Sequence, residues 1–90
     1  MFCVIAYDIT ENYLRRQVSK ILSAHGRRVQ KSVFELDLHP DQLIQMLNSI
    51  SPYIEAGDSL RCYPLCERCL EKALSYNSDP LACDQAYYLV

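Results

Sequence analysis

The sequence predicts an α+β domain whose elements run β-α-β-β-α-β. Three observations carry this reading: a short apolar run at residues 2–7, two later segments with apolar residues at helical spacing, and an extended stretch between them whose apolar phase reverses. Each element has its own reason.

Residues 2–7 are too few for a stable helix and rich in β-branched and aromatic side chains. Such a continuous run reads as a central strand buried on both faces. Asp8 ends it, and residues 9–12 offer cap chemistry. Over residues 12–25, Leu14, Val18, Ile21, Leu22 and His25 recur at helical spacing and predict a core-facing stripe. Arg15, Arg16, Ser19, Lys20 and Ser23 fall towards the other side. Gly26 is expected to stop this helix in the left-handed conformation.

Residues 27–38 are extended, but Val29 and Val33 share one parity while Phe34, Leu36 and Leu38 share the other. A strand changes which side chains face the core only at a bulge or a turn. The change near Val33 and Phe34 predicts a tight hairpin or a strongly bent strand. Pro40 suits the first turn of a second helix, with Leu43, Met46, Leu47 and Ile50 as its apolar face and Pro52 beyond its end. Gly57 and Asp58 turn the chain into a strand over Ser59–Leu65. Cys66, Cys69, Leu70, Ala73 and Leu74 match one more helical stripe. Residues 86–90 read as a last strand, suited to pairing with another chain. With the reversal taken as a hairpin, the order is that of a ferredoxin-like sandwich, two helices on one face of a four-stranded antiparallel sheet. The other face is left bare, which favours a homodimer. A single domain is expected over residues 1–90, with an appendage from about residue 66.

Half of the chain is hydrophobic, 22% is charged, and Gly and Pro together number six, which excludes disordered, collagenous and repeat classes. The longest apolar run is far below the roughly 20 residues a bilayer span needs. No basic stretch precedes it, so neither a membrane segment nor a signal peptide is expected. The expected location is the cytoplasm. Five cysteines, an odd number, fit reduced thiols or a metal better than a disulfide framework.

The net charge of −2 conceals a segregation. Arg15, Arg16, Lys20, Arg27, Arg28 and Lys31 fall within seventeen residues that hold no carboxylate, while the rest of the chain has three cations and eleven acids. Such a patch can bind a phosphate backbone on an acidic protein. A solvated helix face is the competing reading, and composition does not choose between them.

Asp8 is the sharpest candidate for chemistry, because a carboxylate leaving the end of a buried strand is held rigidly. Its competing use is to cap the following helix. One carboxylate alone is a poor Mg²⁺ site, since the ion takes one or two carboxylates plus waters and phosphate oxygens. Two-fold symmetry would answer this by bringing two copies of Asp8 together. Cys62, Cys66 and Cys69, with Cys83, could supply four thiolates to zinc. The spacing, however, sets Cys62 on the core side of its strand and Cys66 and Cys69 on an apolar stripe, so buried free thiols are the preferred reading. His25 and His39 read as structural. No Gly-rich phosphate loop and no Ser-His-Asp or Cys-His set is evident.

Four segments carry a family resemblance: Ala6 to Thr10, Leu14 to Leu22, Gly26 to Glu35 and Asp58 to Leu65. In order and spacing they resemble the CRISPR-associated endoribonuclease family Cas2, the small partner of the CRISPR integrase, over about residues 1–65. The Arg-Val-Gln-x-Ser-Val-Phe segment is the most specific. The resemblance implies a ferredoxin-like homodimer in which a C-terminal strand extends the partner's sheet. It implies that Asp8 is the catalytic and metal-binding aspartate, sharing Mg²⁺ with its twin near the dimer axis, and that Tyr7 precedes it as in many members. Arg15, Arg16 and Arg28 match basic positions that would meet DNA or RNA phosphates. Ser32 and Phe34 match the motif's hydroxyl and aromatic, with a turn hydrogen bond and a core aromatic as their preferred roles. Gln17 departs from the pattern, standing where a third cation often occurs. Two further readings share these features: a non-catalytic scaffold bridging the spacer-integration complex, and a virulence-associated ribonuclease toxin outside CRISPR.

Overall fold

The computed structural model describes residues 1–72, in the order β1 (Phe2–Asp8), α1 (Asn12–Ser23), β2 (Gly26–Gln30), β3 (Val33–Asp37), α2 (Pro40–Ile50), a 3-10 turn (Ser51–Tyr53), β4 (Ser59–Leu65) and α3 (Glu67–Glu71). The expected strand at 86–90, and Ala73, Leu74 and Cys83, lie outside the described residues. The sheet is antiparallel throughout, with strand order β2-β3-β1-β4. This is the ferredoxin-like arrangement that the element order predicts.

Register explains where the core sits. Ile5 lies opposite Phe34 on one side and Cys62 on the other, and Cys3 lies opposite Leu36. Cys3, Ile5, Phe34 and Leu36 have no solvent exposure, and they pack with Val18 and Leu22 of α1 and Leu43, Met46 and Ile50 of α2. Both helices therefore cover one face. Val4 and Ala6, on the other face, are only partly buried, so β1 is central but not buried on both faces as its composition suggests. Phe2 is the exception on that face, because it shares a cleft with Leu70 of α3 and both are buried.

Three local expectations are corrected. The first concerns the end of α1, which stops at Ser23 and leaves His25 exposed, with its Nδ1 2.8 Å from the Ile21 carbonyl. Gly26 is not in the left-handed region, and among the described residues Gly57, at φ 90°, is the glycine that adopts it. Gly26 is needed for space: a Cβ there would lie 2.4 Å from the Glu35 carbonyl oxygen. The second is the chain reversal, which is a hairpin turning at Lys31 and Ser32, two residues earlier than expected, with a bulge between Arg28 and Gln30. The bulge takes up Val29 and leaves it exposed, which is why its parity disagreed with that of β3. The third is α3, which has five residues and buries only Leu70, so Cys66 and Cys69 are exposed rather than on a core stripe.

Helix α2 starts with a reciprocal cap. The Asp41 N–H donates to His39 Nδ1 and the His39 N–H donates to the Gln42 side chain, which gives His39 a structural role.

Candidate nucleic-acid and metal site

Asp8 emerges at the last position of β1, with the parity of Val4 and Ala6, at the edge of the face the helices leave bare. It is exposed in the single chain. The capping role open to it is taken elsewhere: the Glu11 carboxylate accepts from the Leu14 N–H at 2.8 Å. That bond, with a second from the Tyr13 backbone, holds the Glu11 carboxyl below the usual carboxylate range. Among the described residues, no group hydrogen-bonds or ion-pairs with the Asp8 carboxylate.

The surroundings of Asp8 are fixed from three directions. The Tyr7 N–H donates to the Ser32 carbonyl at 3.1 Å, which ties the hairpin turn to the end of β1. The Tyr7 ring is buried and stacks on Phe34, with centroids 6.3 Å apart. Phe34 is a core residue with no exposure. Arg15 reaches back across the β1–α1 loop and donates to the Ile9 carbonyl at 3.0 Å and to Asn12. From the far side, the Asp58 carboxylate accepts from the Thr10 N–H at 3.3 Å and the Glu55 N–H at 3.1 Å. Sequence reading missed Asp58 as a support, although its place after Gly57 marks it as a turn acceptor. Tyr7, Asp8, Arg15, Lys31 and Ser32 share one shallow cleft of about 180 Å³.

The six cations of the basic segment divide into three groups. Arg16, Lys20 and Arg28 line a groove of about 600 Å³ between α1 and β2, together with Gln17, Ser19 and Ser23. The Arg28 guanidinium donates to Ser19 and lies over the Phe34 ring, 5.3 Å from its centroid. Arg15 and Lys31 belong to the Asp8 cleft. Arg27 points to the opposite face from Arg28 and pairs with Glu35 at 3.1 Å. The groove can meet a polyanion with three cations and two hydroxyls, and the cleft puts two cations beside a free carboxylate.

The four cysteines among the described residues fall into two pairs. Cys62 lies beside Cys3 in the sheet, whereas the sulfurs of Cys66 and Cys69 are 3.5 Å apart. Among the described residues, no three His, Cys, Asp or Glu side chains are grouped to hold a metal ion. The zinc set therefore has Cys62 turned to one pair and Cys66 and Cys69 in another, with Cys83 outside the described residues. No helix among the described residues is long and apolar enough to cross a membrane.

Fold and site together define a small ferredoxin-like protein with a basic groove on its helical side and an unengaged carboxylate at a strand end. The chain belongs to the CRISPR-associated protein Cas2 family, whose sequence profile matches residues 1–73. A Methanospirillum hungatei relative named CRISPR-associated endoribonuclease Cas2 2 is 41% identical over 77% of this chain and 78% of its own length. The Streptococcus pyogenes Cas2 crystal structure superposes with a TM-score of 0.74 at 25% identity, over 86% of this chain and all of that one. A chain from a partial Cas6-RT-Cas1–Cas2 complex gives a TM-score of 0.74 at 27% identity, over 88% and 93% of the two chains.

Proposed function

We propose that this protein binds nucleic acid as a homodimer, bridges a CRISPR integrase during spacer integration, and cleaves phosphodiester bonds when Mg²⁺ is held between two Asp8 carboxylates. The observation that carries the catalytic part is the free state of Asp8: the cap it could have formed belongs to Glu11. Its relatives' name as endoribonucleases supports a nuclease, and the likeness to a chain of a Cas1–Cas2 complex supports the integrase partner.

The donor set fits magnesium only in a dimer. A lone carboxylate oxygen is a hard ligand suited to Mg²⁺ but too few, and a second copy on the bare face supplies the second. When bound there, the metal would offset charge on the scissile phosphate and ease deprotonation of water. Asp8 would hold the ion, Arg15 and Lys31 would orient the adjacent phosphates, and Arg16, Lys20 and Arg28 would hold the backbone further along. The Tyr7 to Ser32 bond and the Asp58 contacts would keep the carboxylate from moving.

The test compares the native chain with Asp8→Asn on RNA and on double-stranded DNA, with and without Mg²⁺. Asn keeps the size and removes two charges per dimer. Cleavage should be lost at least a hundredfold on the scale of a metal-held group, while dimer mass and DNA binding persist. A native chain that cleaves neither substrate with any divalent metal would favour the non-catalytic scaffold.

A further inference from the structure

Cysteine environments differ sharply along this chain. Cys3 has no solvent exposure; burial, then the charge and hydrogen bond of the neighbouring Cys62 thiol, push its pKa up to about 12. That thiol is quiet at neutral pH. Cys66 and Cys69 are both exposed, bracket the first turn of α3, and hold their sulfurs 3.5 Å apart in hydrogen-bond contact. The Cys69 backbone N–H, and then its side chain, hydrogen-bond to the Cys66 sulfur and hold its thiol below the usual cysteine range. Helix α3 is five residues long and buries only Leu70, which leaves both sulfurs at the surface. Neither sulfur has a part in the function proposed above.

We propose that Cys66 and Cys69 form a reversible dithiol–disulfide couple whose oxidant is a small-molecule disulfide of the glutathione class. The Cys66 thiolate attacks one sulfur of the oxidant, whose S–S bond breaks and releases one thiolate, which takes a proton from water. Cys69 then gives its own proton to solvent and attacks the Cys66 sulfur of the mixed disulfide, expelling the second thiolate. The protein loses two electrons and two protons, and the oxidant becomes two thiols. The new bond joins the end of β4 to the first turn of α3. Cys66 is the attacking sulfur because its thiolate is the stabilised one, and Cys69 is the resolving sulfur because it is already in contact.

The full chain, reduced, is exposed to graded ratios of oxidised to reduced glutathione, quenched in acid, alkylated and mapped after trypsin. Cleavage after Arg61, Arg68 and Lys72 separates Cys66 from Cys69, so their bond appears as two linked peptides, and fragmentation distinguishes Cys66 from Cys62. Linked peptides from a single chain, reversed by dithiothreitol, with no lasting glutathione adduct, are expected. Cys69→Ser should instead accumulate the glutathione adduct at Cys66, ahead of every other thiol. A bond from either sulfur to Cys83, a bond between two chains, or a native chain that keeps a glutathione adduct or stays reduced would overturn the proposal.

Discussion

Arg27 and Arg28 are neighbours in β2 with the same charge, yet consecutive strand residues face opposite ways and meet different surroundings. Arg27 is spent on Glu35, which is largely buried, whereas Arg28 lines the groove with Arg16 and Lys20. The two kinds of arginine should therefore separate in experiment. Arg27→Ala removes a charge-assisted hydrogen bond to a poorly exposed carboxylate and should cost about 1–3 kcal/mol in urea unfolding, with DNA affinity little changed. Arg16→Ala with Lys20→Ala touches two exposed side chains and should leave stability nearly intact. It should flatten the dependence of DNA affinity on salt by nearly two units of log–log slope, at about 0.9 for each phosphate no longer neutralised, measured by fluorescence anisotropy. The charge cluster was legible in the sequence, but its division was not. Parity assigns Arg27 and Arg28 to faces only after the bulge at Val29 and the pairing to β3 are known.

At the scale of elements, Gly26 shows how one residue can be read correctly as special and wrongly as to why. Its place after a helical stripe suggested a left-handed stop, whereas it permits β2 to lie tightly on β3. Gly26→Ala would drive a Cβ to 2.4 Å from a backbone oxygen and 2.6 Å from the Leu36 side chain. The backbone oxygen cannot swing aside, so the variant should lose about 1–3 kcal/mol, read as a lower urea midpoint at unchanged slope. The extended region held both devices that reverse a strand's phase, a bulge and a turn. Sequence parity cannot count two such devices separately, so the turn was expected two residues late. Strands β1 and β4 and the two long helices were legible because a short apolar run, an alternation and two helical stripes stand out and Pro40 and Gly57 mark boundaries. Strands β2 and β3 showed only as one extended stretch with a reversed phase. The short helix α3 was legible from its stripe, but its facing was not: so few turns do not tell a buried face from an exposed one, and Cys66 and Cys69 were expected on the core side. Asp8 was legible as a candidate, but only the Glu11 cap removed the competing use.

For the whole molecule, the consequential feature is that both helices cover one face of the sheet. Val4, Ala6 and Val33 remain half-exposed on the other, beside Tyr63 at 47% exposure, and Asp8 sits at the end of the same face. Covering this face with a second copy would bury apolar surface that a small domain can rarely leave in water at no cost. It would also bring the two strand-end carboxylates into one region, so assembly and metal binding should fail together. Tyr63→Glu tests that link without attacking the fold, because the side chain is exposed and its polar contact is a 3.4 Å bond from Arg61. Sedimentation should shift from twice the chain mass towards a single chain, with the urea midpoint at low protein concentration nearly unchanged. Mg²⁺-dependent cleavage should fall in proportion to the lost dimer and recover as protein concentration is raised. A variant that stays dimeric and fully active would mean that the copies meet through another surface. A monomer that still cleaves at the native rate would show that one Asp8 is enough.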